Sequence, residues 1–322
     1  MTAQLVPVGT ATQPTKATNG VAATTKSRTA LWIWGFMTPT IILYGLYTLY
    51  PIVASYWYSL VRWNGFQAEK DFVGLQNYRD VLADPLFWNS FKVTALFLVG
   101  VVPAKVIASL LMAIVLNSPK MPFVTFFRTA YFLPVVTTTA IVGVVMQFIF
   151  DPVSGPVNAA LLRLRLADHG INFLGESSLA LWTTVIVYIW KGFGITMIYW
   201  LASLQTIPNE LYEAARIDGA GVLDLFRHLT LPLLKPFLII ITLLTVEDTL
   251  HVFDLMMTMT AGGPYYSTEV VEIYIYRWAF GATIPQLGYA SAAAVIFGIF
   301  VLVLGAVQLA GVRAAQRLRA ER

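Results

Sequence analysis

A polar stretch of the chain separates two long apolar segments. Residues 213–219 read EAARIDG, and residues 229–232 read LTLP. The combined pattern is E-A-A-x3-G-x9-L-x-L-P. A polar loop between two segments of this apolar length is typical of a chain that crosses a bilayer, emerges and crosses it again. The stretch therefore decides the fold class, provided that the rest of the chain also reads as membrane-spanning.

Composition points the same way. Hydrophobic residues make up 57% of the chain and charged residues 12%, against about 25% charged in ordinary soluble domains. Segments of 18 or more apolar residues can cross a bilayer core of ~30 Å. Because backbone groups in lipid must bond within their own segment, such segments form helices. The sequence predicts an all-α membrane protein with six transmembrane helices at about 31–55, 93–116, 129–150, 179–203, 236–258 and 287–311.

The six segments define the domain organisation. Residues 1–28 are rich in Thr and Ala without apolar periodicity, which predicts a disordered N-terminal tail. Residues 29–311 form the six-helix transmembrane domain, and the polar loop within it spans 204–235. Residues 312–322 form a basic C-terminal tail. The first apolar segment is too long for a signal-peptide core, so we expect it to stay as a membrane helix.

Lys and Arg residues predict the orientation. With the N-terminus inside, twelve of them fall in the inner segments and seven in the outer segments. Cytoplasmic loops carry the excess of these residues, so both termini and the 204–235 loop are expected to face the cytoplasm. The same bias accounts for the net charge of +4 and gives no reason to expect nucleic acid as a partner.

The motifs of metal and nucleotide sites are missing from the sequence. Cysteine is absent, and the three histidines do not have the spacing of a zinc site. No G-x-x-x-x-G-K-[ST] stretch occurs, so a nucleotide would have to be hydrolysed by another chain. We expect no cofactor or metal in this chain.

The polar loop has the features of a short helix. Pro208 suits a first helical position, and Glu210 would lie near the positive end of the helix dipole. Ala214 and Ala215 permit close approach of another surface, and Gly219 can adopt the left-handed conformation that ends a helix. The simpler interpretation is an amphipathic helix lying at the membrane interface.

The spacing of the motif, with Leu229 where Ile is usual, resembles the coupling loop of ATP-binding-cassette importer permeases. The resemblance implies that the short helix docks in a groove on an ATPase subunit. It also implies that the chain itself is a pore subunit and not an enzyme. The coupling residues that it implies are Glu213, Ala214, Ala215, Asp218 and Gly219.

Other segments resemble the carbohydrate (maltose-type) branch of this family. Residues 72–78 (FVGLQNY) and 84–88 (DPLFW) look like the first outer loop of those permeases, and residues 260–264 (TAGGP) look like a later one. Residues 288–292 (GYASA) lie at the start of the last helix and resemble the residues at that position in the family. The signatures are typical of the first of two paired permeases, of the maltose, glycerol-phosphate or lactose type. They imply a type I importer permease that forms half of the pathway for a sugar, oligosaccharide or sugar derivative.

The resemblance also implies an assembly in the inner membrane of a prokaryote. Its members would be a second homologous permease, two ATP-binding subunits that use ATP and Mg, an extracytoplasmic solute-binding protein and the surrounding lipid. Since that binding protein captures solute first, the sequence of this chain does not name the sugar.

Counting from the aligned motifs transfers the family's solute-lining positions to this chain. Most of the residue identities differ from the family's, so the resemblance implies where the pocket lies and not its chemistry. The implied lining residues are Thr139, Tyr188, Gly192, Thr245, Asp248, Thr249 and Val252.

Asp248 has two interpretations. A carboxylate within a span costs from ~3 kcal/mol upward, so it marks either a functional site or an ion pair. It can accept hydrogens from two hydroxyls of a sugar, on which Tyr188 could stack. Without contacting solute, it can instead pair with Lys105 or Lys191, or line a water-filled cavity. Sequence alone leaves both interpretations open.

The polar residues near Asp248 raise two other function classes, an ion-coupled secondary transporter and a membrane enzyme. Glu247, His251 and Asp254 are spaced four and three residues apart, which fits a proton relay in an ion-coupled secondary transporter or a structural polar cluster. Secondary transporters commonly contain internal repeats, and none is evident here. A membrane enzyme would need a nucleophile with its base, and none accompanies these carboxylates.

Overall fold

The chain was analysed as a computed structural model that describes residues 19–118 and 121–320. It divides into two units, one ending at Ala54 and one starting at Ser55. The first unit contains α1 (Asn19–Tyr44), a π-helical turn (Gly45–Leu49) and the start of α2 (Tyr50–Tyr58). Together these provide an apolar candidate span, Trp32–Tyr58.

The N-terminal prediction is corrected in part. Residues 1–18 of the predicted disordered tail lie outside the described residues. Residues 19–28 are helical, because α1 begins at Asn19. Ala has the highest intrinsic helix propensity, and the pair Ala22-Ala23 favours this early start.

The second unit begins with a small polar connection. Strands β1 (Val61–Arg62) and β2 (Asp71–Phe72) pair antiparallel, and α3 (Gln76–Ala83) follows. The buried Asn77 donates from Nδ2 to the carbonyls of Ser59 and Val61, each at 2.9 Å. These bonds hold α3 against β1 and the turn that precedes it.

Two long helices form the centre of the second unit. They are α4 (Pro85–Leu116), whose N-terminus is capped by Asp84, and α8 (Ser177–Leu204). They pack along each other through one cluster that includes Phe97 and Val185. A second cluster, with Trp200 from α8, continues the contact towards the far end of α4.

The predicted span 129–150 is not one continuous helix. It consists of α5 (Val124–Val136) and α6 (Thr139–Ile149), bent by 98° between them. The bend follows Pro134 and lies in a run of β-branched residues at 135–139, both of which disfavour continued helix. The sequence predicted one helix for this segment, and the structure divides it into two.

The predicted span 236–258 is also interrupted. Helical structure starts at α10 (Val222–Asp224), passes through a π-helical segment (Leu225–Thr230) and continues as α11 (Leu231–Leu250). It stops at His251, and α12 (Phe253–Met259) starts again after it. The candidate span is accordingly Val222–Leu250, so the polar loop predicted for 204–235 ends about a dozen residues earlier.

The remaining elements complete the second unit. They are α7 (Pro156–Arg163), α9 (Asn209–Ile217), α13 (Val271–Tyr276), a π-helical turn (Arg277–Gly281) and α14 (Leu287–Ala320). The helix α14 extends through most of the predicted C-terminal tail. The described residues contain five helices long and apolar enough to cross a membrane, or six spans with the bent pair counted as one. The predicted fold class, an all-α membrane protein with six spans, is confirmed.

Candidate functional site

The EAA stretch folds as the predicted short helix. α9 begins at Asn209, with Pro208 as its N-cap, one position earlier than we predicted for the proline. Glu210 lies in the first turn and Arg216 in the last, so both charges complement the helix dipole. Gly219 has φ +87°, which confirms the predicted left-handed termination. The amide of Ala220 donates to the carbonyl of Ala215 at 2.9 Å and closes the helix end.

One side of α9 and the turn after it is exposed. Glu213 and Ala214 are exposed, as are Asp218 and Gly219, while Ala215 is half-buried. Two apolar side chains beside them are almost fully exposed, Ile217 at 86% and Val222 at 87%. We call this patch the coupling surface; its residues are Glu213, Ala214, Ile217, Asp218, Gly219 and Val222. An apolar patch rimmed by charges is typical of a protein–protein contact.

The opposite side of α9 is tied to the next membrane helix. The Tyr212 hydroxyl lies 3.0 Å from Oγ1 of Thr230, which also donates to the Leu225 carbonyl at 3.1 Å. A cavity of about 710 Å³ lies beside this contact, lined in part by Asn117 and Phe226. The hydroxyl pair links α9 to the segment that leads into α11.

An ion pair between a buried lysine and an exposed carboxylate joins α4 to α11. Nζ of Lys105 lies 2.8 Å from Oδ2 of Asp248. The Lys105 side chain is 1% exposed and that of Asp248 is 55% exposed. Of the two lysines that the sequence left open as partners, the structure selects Lys105. Asp248 lies two residues before the end of α11 and not at the middle of its span.

Two of the predicted lining residues surround this pair. The Tyr188 hydroxyl donates to the backbone carbonyl of Asp248 at 2.6 Å, and its ring lies 5.2 Å from Nζ of Lys105. At Gly192, a Cβ atom would overlap Nζ and Cε of Lys105. The three helices α4, α8 and α11 therefore meet at one polar cluster, which we call the Lys105 cluster: Lys105, Tyr188, Gly192 and Asp248.

The other predicted lining residues are less accessible. Thr245, Thr249 and Val252 are buried within this chain, and each threonine hydroxyl donates to the carbonyl four residues earlier. Thr139 is half-buried at the first position of α6. Of the four residues predicted on α11 and just after it, only Asp248 is exposed in this structure. A role in contacting solute stays a prediction for all of them.

The interruption after α11 carries a second polar cluster. Nδ1 of His251 lies 3.2 Å from Oε1 of Glu272, and Nε2 of His251 lies 3.8 Å from Oε1 of Glu247. The other oxygen of Glu272 accepts from the amide of Phe253 at 2.9 Å, at the start of α12. Asp254 is exposed. The sequence indicated Glu247 and His251 but missed Glu272, which is 21 residues from His251.

Glu272 should be important for the stability of this interruption. Burial raises the pKa of its carboxyl, which the nearby His251 opposes. We expect Glu272→Ala to lower the free energy of unfolding by about 1–3 kcal/mol, because the buried amide of Phe253 loses its acceptor. Thermal unfolding of the purified protein in detergent measures this. The matched control is Glu247→Ala, an exposed carboxylate on the same histidine; equal losses in both variants would contradict the capping role.

Comparisons with known proteins place the chain in a family. A family model described as "Binding-protein-dependent transport system inner membrane component" matches residues 85–317. A probable ABC transporter permease protein of Bacillus subtilis, YurN, is 34% identical over 275 residues, which is 85% of this chain and 93% of that protein. The lactose transport system permease protein LacF of Rhizobium radiobacter is 33% identical over 282 residues, 87% of this chain and 93% of that protein.

The fold also matches a solved structure. A bacterial ABC transporter involved in the import of the polysaccharide alginate contains a chain with a TM-score of 0.78 at 20% identity. The match covers 91% of this chain and 99% of that one. The chain is thus a multi-pass membrane protein with the type I importer permease fold. It belongs to the family of inner-membrane components of binding-protein-dependent transport systems, the permease subunits of ABC importers, whose ATPase is a separate subunit.

Proposed function

We propose that this permease carries a carbohydrate: a sugar, an oligosaccharide or a sugar derivative. The observation that carries the proposal is the shared cargo class in the names of its relatives. One is a lactose permease, one a permease for starch degradation products and one for multiple sugars, each at least 30% identical over most of both chains. The exposed Asp248 carboxylate supports it, since carboxylates accept hydrogen bonds from hydroxyl groups.

We further infer the assembly in which the chain works. A second homologous permease completes the pathway, two ATP-binding subunits lie on the cytoplasmic side with one of them in contact with the coupling surface, and a solute-binding protein delivers cargo from outside. The excess of Lys and Arg supports this orientation, with both termini in the cytoplasm. The exposed apolar residues of the coupling surface support a partner at that place.

A transport assay tests the cargo class. Vesicles with the whole assembly should accumulate labelled sugar only with internal ATP, and a proton ionophore should leave uptake unchanged. Screening sugars for stimulation of ATP hydrolysis identifies the cargo. If no carbohydrate stimulates hydrolysis while another class of solute does, the carbohydrate assignment is wrong. Uptake that collapses with the proton gradient would favour the ion-coupled alternative.

The energy source gives a separate prediction. The purified chain alone is expected neither to bind nor to hydrolyse ATP, because its sequence has no loop that cradles phosphates. Hydrolysis should appear when the ATP-binding subunits, the second permease and the solute-loaded binding protein are added with Mg. The measurement is phosphate release by each combination of subunits. Release by the isolated chain, after an ATPase contaminant is excluded, would contradict this.

A further inference from the structure

We propose that Lys105 is a positioning residue: it holds the Asp248 carboxylate towards the transport path, so that this path prefers uncharged, polyhydroxylated solutes to anionic ones. The proposal rests on the proposed function, because it concerns how the same permease selects a carbohydrate. The sequence left open whether Asp248 contacts solute or pairs with a lysine. In this proposal Asp248 does both.

In this ion pair the lysine is buried and the carboxylate is exposed. Lys105 is 1% exposed while its partner is 55% exposed, although their charged atoms are 2.8 Å apart. A lysine buried to this degree needs its partner, because an unpaired charge in this environment is costly. A pair that served only to join α4 and α11 would not need to expose its carboxylate. The lysine lies behind the carboxylate and fixes it from the protein side.

Two residues on α8 line the space that the Lys105 side chain occupies. The Tyr188 ring lies 5.2 Å from Nζ and offers a cation–π contact, while its hydroxyl bonds to the Asp248 backbone. Gly192 leaves the space that Nζ and Cε occupy, and any larger residue would displace them. Nζ of Lys105 therefore lies between the Tyr188 ring and the Asp248 carboxylate, which it contacts from the protein side.

The geometry leaves one carboxylate oxygen for solute. Among the described residues, Oδ2 of Asp248 accepts from Lys105, and Oδ1 has no hydrogen-bond donor. A carboxylate oxygen can accept from solute hydroxyls. An anionic solute approaching the same place would meet the carboxylate before it met the buried lysine, and like charges repel. The exposed oxygen thus favours neutral sugars over their acidic counterparts.

The test uses variants that do not strand a charge in the interior. Lys105→Met replaces the buried lysine with an apolar side chain of similar length, and Asp248 then remains as an exposed carboxylate. The double variant Lys105→Met with Asp248→Asn removes the carboxylate charge as well. The matched control is Lys92→Met, which removes an exposed lysine of the same helix α4 that forms no ion pair within the described residues.

Binding is measured on the assembled importer in lipid nanodiscs without the solute-binding protein, by saturation-transfer NMR. The probes are two matched pairs, glucose with glucuronate and galactose with galacturonate, in which the ring is kept and the C6 hydroxymethyl group is replaced by a carboxylate. We expect the wild type and Lys92→Met to bind the neutral member of a pair at least tenfold more tightly than the acid. Lys105→Met should weaken neutral binding about fivefold, through loss of preorganisation. The double variant should weaken it roughly ten- to a hundredfold and reduce the discrimination against the acid.

The outcomes separate this proposal from the proposed function. Neutral binding in Lys105→Met equal to the wild type, with only thermal stability altered, would show a purely structural pair and overturn the proposal. A double variant that binds like Lys105→Met would show that Asp248 does not contact solute, with the same consequence. In both cases the wild type still binds sugar and the proposed function stands. A wild type that binds none of the four probes, and takes up no carbohydrate with its binding protein, overturns both.

Discussion

Gly219→Pro is expected to reduce ATP-driven uptake to background while leaving membrane insertion intact. Gly219 has φ +87°, and proline is fixed near −65°, so the turn after α9 cannot form as observed. Proline also removes the amide that donates to the Arg216 carbonyl at 3.1 Å. The coupling surface would then lose its shape at Asp218 and Val222. Uptake in vesicles and the amount of assembled complex are measured side by side.

The matched control at this position is Gly219→Asn. Asparagine tolerates the left-handed region better than other side chains, and no atom lies within 4 Å of a Cβ placed there. We expect this variant to retain most of its uptake. Full loss in Gly219→Asn together with full activity in Gly219→Pro would show that backbone conformation is not what the site requires.

Glu213→Lys tests the charge of the same surface. Glu213 is exposed on α9, so the substitution should change a contact and not the fold. Reversing a charge at a complementary interface is repulsive, and uptake is expected to fall to background. Glu69→Lys, the same reversal at another exposed glutamate, serves as the control. Unchanged uptake in both Gly219→Pro and Glu213→Lys would remove the coupling assignment.

Much of the fold could be predicted from the sequence, because lipid makes the length of an apolar run nearly sufficient to define a helix. Four of the five long candidate spans and the short α9 with its glycine stop lie close to where the pattern placed them, while the fifth, Val222–Leu250, begins about a dozen residues before its predicted start. Hydrophobicity indicates the length of an apolar segment but not whether that segment forms one continuous helix. The bend between α5 and α6 was missed for that reason, although Pro134 and its β-branched neighbours were a visible signal.

The interruption at His251 had no such signal. It depends on Glu272, whose carboxylate bonds to the amide of Phe253 from a segment far along the chain. The choice of Lys105 over Lys191 as the partner of Asp248 likewise depends on how α4 packs beside α8. Contacts of this kind arise from tertiary packing, so the sequence could predict candidate residues for the site but not their pairing.

Arg277→Met is expected to cause one of the largest losses of stability of any single substitution in this chain. Nε of Arg277 lies 2.7 Å from Oε1 of Glu269, whose side chain is 1% exposed. Removing one member of a buried pair leaves the other charge unpaired, which typically costs about 3–5 kcal/mol. Thermal unfolding of the purified protein in detergent measures the loss. The control is the double variant Arg277→Met with Glu269→Gln, in which no charge is left in the interior and most of the stability should return.

The same pair predicts how this loss depends on pH. Burial raises the pKa of the Glu269 carboxyl, although hydrogen bonding to Arg277 opposes the rise. A folded-state pKa above the unfolded value of about 4.3 means that the folded protein holds the proton more tightly. The stability that this proton contributes is fully present below the unfolded pKa and is lost as the pH rises through the folded-state pKa.

In Arg277→Met the opposing guanidinium is gone, so the stability of this variant should depend more steeply on pH than that of the wild type. The difference in melting temperature between the wild type and Arg277→Met should narrow as the pH is lowered from about 8 to about 5. A difference that is constant over this range would show that the loss comes from the arginine's contacts with Tyr266, Tyr274 and Trp278 and not from an unpaired Glu269.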